Sequence, residues 1–118
     1  MTVSVTKCFS FESAHYIPKY EGACSNIHGH SYKLQVTVSG EVTNGMVIDF
    51  SVLRDIVEEH IVKVYDHTLL NLRFQVPTAE NMVQDFFAVL QSEFKERSLV
   101  LESVKLWETE NSFAECRR

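Results

Sequence analysis

His30-Ser31-Tyr32-Lys33-Leu34-Gln35-Val36-Thr37-Val38-Ser39 alternates apolar and polar side chains along its length. His30, Tyr32, Leu34, Val36 and Val38 share one parity, while Lys33, Gln35, Thr37 and Ser39 take the other. Successive residues of a strand point to opposite faces, so this stretch reads as a half-buried β-strand. The entry end of its apolar face carries His28-Gly29-His30. If the chain is already extended there, the two imidazoles aim in parallel at one point, as two ligands of a divalent metal must. Cys24 stands four residues ahead of the pair.

Upstream, Val3, Val5, Phe9 and Phe11 alternate with polar or small residues, which predicts a strand from Thr2 to Ala14. His15 has the parity of Phe11 and Ser13 and would extend from the same face if the strand continued. Pro18 to Ala23, with Gly22, reads as a loop, so a hairpin would bring His15 to the histidine pair. Downstream, Asn44-Gly45 signals a turn, and Asp49 or Ser51 can cap a helix carrying Leu53, Ile56, Val57, His60, Ile61 and Val64 at helical spacing. Asp66 to Val76 is a connection. Pro77-Thr78 starts a second helix whose apolar stripe is Met82, Val83, Phe86, Phe87, Leu90 and Phe94. Leu99 to Trp107 is a third strand and Ser112 to Cys116 a short fourth. The order ββααββ predicts an α+β fold, a four-stranded antiparallel sheet with two helices on one face.

The bulk properties narrow the function classes. The 118 residues suffice for a single domain spanning 1–118, but not for two. A formal charge of −5 with scattered basic residues gives no footprint for nucleic acid. No apolar run approaches the ~18 residues of a membrane span, and Met1 to Ser10 lacks the pattern of a secretory signal, so a cytoplasmic protein is expected. Cys8, Cys24 and Cys116 have no paired spacing and read as free thiols. Cys8 and Cys116 lie in strand-like segments, where a small buried hydrophobe is the default. Cys24 lies in a loop beside the histidines.

Taken singly, each histidine has an ordinary explanation as a core or surface residue. His15, His28 and His30 together form the open three-histidine set that a catalytic zinc takes, which leaves a position for water or substrate. His60 falls on the helical stripe and reads as a packing or interface residue. Asp66-His67 could be an oriented imidazole that carries protons, or simply a helix-ending turn. Val104, Leu106 and Glu108 share a parity, so a carboxylate finishes an apolar face. Glu110 has the same parity, and spacing does not choose between the two.

Phe11-Glu12-Ser13-Ala14-His15, Cys24 to His30 (CSNIHGH), Val47-Ile48-Asp49-Phe50, Asp66-His67 with Leu70-Asn71, Pro77-Thr78-Ala79-Glu80-Asn81 and Trp107-Glu108-Thr109 occur in one order along the chain. The ordered set resembles the 6-pyruvoyl-tetrahydropterin synthase family, and most closely its bacterial 6-carboxytetrahydropterin branch. The resemblance implies the tunnelling fold (T-fold), assembled as a homohexamer whose sheets close into barrels, with active sites at subunit interfaces. That would relieve the exposed edges of an isolated small sheet.

Carried over by position, His15, His28 and His30 would bind zinc, Cys24 would be the catalytic thiol, and Asp66 with His67 the proton-transfer pair. Glu108, with Thr109 beside it, would anchor the pterin's amino-pyrimidine edge. Three residues separate Cys24 from His28, the short spacing of the queuosine-pathway branch, whereas animal-type pyruvoyl enzymes have a longer insert. The implied reaction takes 7,8-dihydroneopterin triphosphate to 6-carboxy-5,6,7,8-tetrahydropterin, acetaldehyde and triphosphate. The rival readings are the pyruvoyl-forming reaction on the same substrate and a non-catalytic zinc- and pterin-binding scaffold. Phosphate-binding residues carry no motif, with Lys19, Lys33, Arg54 and Arg73 all open.

Overall fold

A computed structural model describes residues 1–118. Two long strands, β1 (Thr2–His15) and β2 (His28–Glu41), form an antiparallel hairpin in unbroken register from Thr2 opposite Glu41 to His15 opposite His28. A helical stretch follows as α1 (Phe50–Val57), a π turn (Glu58–Val62) and α2 (Lys63–Tyr65). Then come β3 (Thr68–Leu69), α3 (Ala79–Lys95), β4 (Val100–Thr109) and β5 (Ser112–Arg117). The sheet order is β3-β1-β2-β4-β5.

The sheet therefore has five strands and is mixed, where the sequence pattern predicted four antiparallel ones. The additional strand is two residues long and pairs parallel to β1, Ser13 opposite Thr68 and Ala14 opposite Leu69. Two residues carry no alternation for a sequence pattern to register. The free edge of β1 makes the strand: Glu12 N–H donates to the Asp66 Oδ1 at 2.8 Å, and His67 N–H donates to the Glu12 carbonyl at 2.6 Å. The Ser13 hydroxyl donates to the Tyr65 carbonyl. A connection that looked structureless is thus tied along the end of β1.

Both helices cover one face of the sheet, as expected. Phe9, Phe11, Tyr32, Leu34, Val36, Val38, Val104 and Leu106 point into a single core with Leu53, Phe86, Leu90 and Phe94 from the helices. On the other face, Thr6, Ser10, Glu12, Ser31 and Lys33 are exposed, Gln35, Thr37, Lys105 and Trp107 are half-buried, and Ser39 is buried. Asp49, rather than Ser51, caps α1, its Oδ1 accepting from Ser51 N–H at 2.7 Å. Thr78 caps α3 by accepting from Asn81 N–H at 3.2 Å. The π turn shifts the buried stripe of the first helical stretch: Val62 and Tyr65 are buried, while Val64 is only half-buried. His60 sits beside the core rather than in it and pairs with Glu93 of α3 at 3.4 Å.

Candidate metal centre and active site

Strand register assembles the histidines. His15 is the last residue of β1 and lies opposite His28, the first of β2, while His30 lies opposite Ser13. Directly opposed side chains of an antiparallel pair share a face, with Cβ atoms about 5 Å apart. The three rings meet edge to face with centroids 4.7, 5.0 and 4.8 Å apart. One ligand nitrogen from each lies within 4.8 Å of the others.

The hydrogen bonds fix which nitrogens converge. His15 Nδ1–H donates to the Pro77 carbonyl at 2.8 Å and His28 Nδ1–H to the Asn26 carbonyl at 2.7 Å. A neutral imidazole with Nδ1 protonated offers a lone pair at Nε2. The two Nε2 atoms face each other at 3.2 Å, so two lone pairs point into one space. His30 Nε2 is buried with no hydrogen-bond partner. Two lone pairs and a buried, unpartnered third imidazole nitrogen around one space suit a cation, and neutral imidazole is a common ligand of divalent transition metals. Desolvation pushes the His30 pKa down, and the neighbouring His15 and His28 push it the same way against the opposing pull of Glu108. Burial, helped by Glu108, raises the Tyr32 pKa, so this ring beneath the histidines keeps its proton.

Glu108 closes the cluster. It is the carboxylate at the inward end of β4, with Oε1 3.5 Å from His15 Nε2 and 3.8 Å from His30 Nε2. Between the two acids left open by spacing, Glu108 enters the cluster, whereas Glu110 is exposed in the turn after β4. Thr109 takes the opposite parity, and its hydroxyl lies 3.2 Å from Asn111 Oδ1. Cys24 sits exposed in a 3-10 turn, Ala23–Ser25, and its thiol makes no hydrogen bond.

Asp66 and His67 form a joined pair. His67 Nδ1–H donates to Asp66 Oδ2 at 3.0 Å, and the other carboxylate oxygen holds Glu12 N–H. The Glu12 amide, and next the His67 ring, keep the Asp66 pKa below the usual carboxylate range. His67 adopts a left-handed backbone at φ 58°, uncommon for a residue with a side chain. Its N–H bond to Glu12 holds it there and leaves the ring largely exposed. An open cleft of about 530 Å³ is lined by His67 and Thr68 on one side and His30 and Ser31 on the other. The structure thus gathers His15, His28, His30 and Glu108 in one cluster and places His67 across a cleft from His30. Cys24 lies outside the cluster of ligand atoms, its carbonyl accepting from Ile17 N–H at 2.7 Å just after His15.

Two supports lay outside the sequence reading. Pro77 supplies only a carbonyl, which no residue type encodes. Asn71 was visible only as part of a family-like stretch. Its side chain clamps Tyr16, accepting from the N–H at 3.0 Å and donating to the carbonyl at 2.9 Å, and so pins the chain directly after His15.

The 6-pyruvoyl tetrahydropterin synthase family model matches residues 4–118. A Haemophilus influenzae protein named 6-carboxy-5,6,7,8-tetrahydropterin synthase is 37% identical, covering 94% of this chain and 96% of its own length. An Archaeoglobus fulgidus protein, provisionally given the same name, is 44% identical over 92% of this chain and 90% of its own. Among solved structures, Caenorhabditis elegans 6-pyruvoyl tetrahydropterin synthase superposes with a TM-score of 0.86 at 28% identity, covering 100% of this chain and 96% of that one.

Proposed function

The chain belongs to the 6-pyruvoyl tetrahydropterin synthase family, and from that premise we propose that it is a 6-carboxy-5,6,7,8-tetrahydropterin synthase. As a lyase, it converts 7,8-dihydroneopterin triphosphate and water to 6-carboxy-5,6,7,8-tetrahydropterin, acetaldehyde and triphosphate. The product feeds 7-deazaguanine and queuosine synthesis in this reading. The observation that carries the assignment of the site is the convergence of three imidazole nitrogens, the His30 one buried and unpartnered, beside Glu108.

His15, His28 and His30 hold zinc, and their donor set fits it. Bound zinc supplies Lewis acidity toward the side-chain oxygens of the pterin and steadies the negative charge that develops there. Glu108 accepts hydrogen bonds from the amino-pyrimidine edge, with Thr109 as its neighbour on the pterin. A ring that cannot donate leaves the carboxylate unpaired and is rejected. Cys24 Sγ takes a proton from a side-chain carbon. His67, oriented through Nδ1 by Asp66, returns one from Nε2. Triphosphate elimination and loss of acetaldehyde follow. In this reading the site lies between subunits of a homohexamer.

Incubation of the zinc-loaded protein with 7,8-dihydroneopterin triphosphate is expected to yield acetaldehyde and 6-carboxytetrahydropterin in equal amounts. Triphosphate release with a pyruvoyl product and no acetaldehyde would overturn the assignment in favour of the pyruvoyl-forming reaction. Binding without turnover would favour the scaffold.

A further inference from the structure

The position of Glu108 goes beyond a pterin contact. In a tetrahedral site with metal–nitrogen and metal–oxygen legs of about 2.0–2.1 Å, ligand atoms stand about 3.3 Å apart. His15 and His28 Nε2 are 3.2 Å apart, and Glu108 Oε1 is 3.5 Å from His15 Nε2 and 3.8 Å from His30 Nε2. Three of the six edges of such a tetrahedron thus lie near the expected length, with the carboxylate oxygen on the side of the fourth corner, while the histidine ligand atoms spread over as much as 4.8 Å. A carboxylate resting there as a mere solvated charge has little reason to lean inward. It lies one-third exposed, with open water beside it, yet it turns toward two imidazoles, one of them fully buried. Neither contact falls within ordinary hydrogen-bond length, and His30 Nε2 is left without a hydrogen-bond partner.

We infer that Glu108 is a fourth metal ligand in the substrate-free enzyme, closing the three-histidine site through Oε1 until a pterin draws the carboxylate away. This rests on the proposed metal role of the triad. It gives the carboxylate two uses in sequence. Coordination keeps a strong Lewis acid from binding stray anions, and recognition of the amino-pyrimidine edge frees the corner for the substrate's oxygens. Metal access is thereby coupled to the correct ring.

Cobalt(II) in place of zinc reports the ligand set through its visible absorption bands. The probes are the wild-type protein, Glu108→Gln, Glu110→Gln and His28→Ala, each confirmed folded by circular dichroism. Glu108→Gln is expected to shift the cobalt bands and to weaken cobalt binding by about tenfold or more. Glu110→Gln, which removes the same charge outside the cluster, is expected to leave both unchanged. Adding neopterin to the wild-type cobalt protein is expected to move its bands away from those of the ligand-free form, with no corresponding shift in Glu108→Gln. Unchanged bands in Glu108→Gln would overturn the inference even if affinity fell, since a charge nearby but uncoordinated alters affinity alone. Failure of the triad reading would show differently, as cobalt binding by His28→Ala equal to wild type.

Discussion

Cys24, Glu108 and the three histidines make separable demands on the molecule. The Cys24 side chain is exposed and makes no hydrogen bond, so its removal leaves no cavity and no unpaired group. Cys24→Ala should abolish acetaldehyde formation while metal content, measured by plasma emission, stays at the wild-type level. A variant that kept turnover would refute the thiol's catalytic role. His28→Ala should do the reverse at the metal, lowering occupancy at least about tenfold, because two remaining imidazoles make a weak site. Undiminished occupancy in that variant would move the metal elsewhere. Asp66→Asn keeps the shape of the pair but weakens its hold on His67 Nδ1, and turnover should fall while metal content does not.

At the scale of elements, caps and packing decide how firmly the site is framed. Thr78 caps α3, and the preceding Pro77 carbonyl receives His15 Nδ1–H, so one turn serves both the helix and the metal cluster. Thr78→Ala should cost about 1 kcal/mol in urea unfolding. Leu90 is fully buried on α3 against the sheet, and Leu90→Ala should cost about 2–5 kcal/mol by the same measurement. Asp49 gives the pH dependence. The Ser51 hydroxyl, then its N–H, holds this carboxyl below its ordinary value of 3.8. A depressed folded-state pKa stabilises the fold in full above the unfolded value and loses that contribution as pH falls through the folded value. The stability gap between wild type and Asp49→Ala should therefore be constant near neutrality and close as the pH drops below 3.8. A gap that held its size in acid would show that capping by the charged form is not its source. The helices themselves were legible because their stripes repeat over many residues. The π turn was not, since one residue's slip in register, which buries Val62 and Tyr65, is set by packing against the core.

For the whole molecule, the sheet leaves one face uncovered and ends in β3 at one edge and β5 at the other. Unpaired edges and a bare face suit assembly with further copies. Light scattering is expected to give a hexamer, and a fully active monomer would contradict sites completed between subunits. No helix is long and apolar enough to cross a membrane. The sequence by itself determined the two long strands, the two helical stretches and the meeting of the three histidines. Alternation sets which face each side chain takes, and the parities of His15, His28 and His30 therefore carry through to the folded sheet. Only the tertiary structure decided the rest. It turned Thr68–Leu69 into a strand because β1 had a free edge to satisfy. It chose Glu108 over Glu110 by where β4 ends against the histidines, and it tied Asp66 and His67 to the end of β1. Those outcomes depend on hydrogen bonds and distances between segments far apart in the chain, and local periodicity holds no record of them.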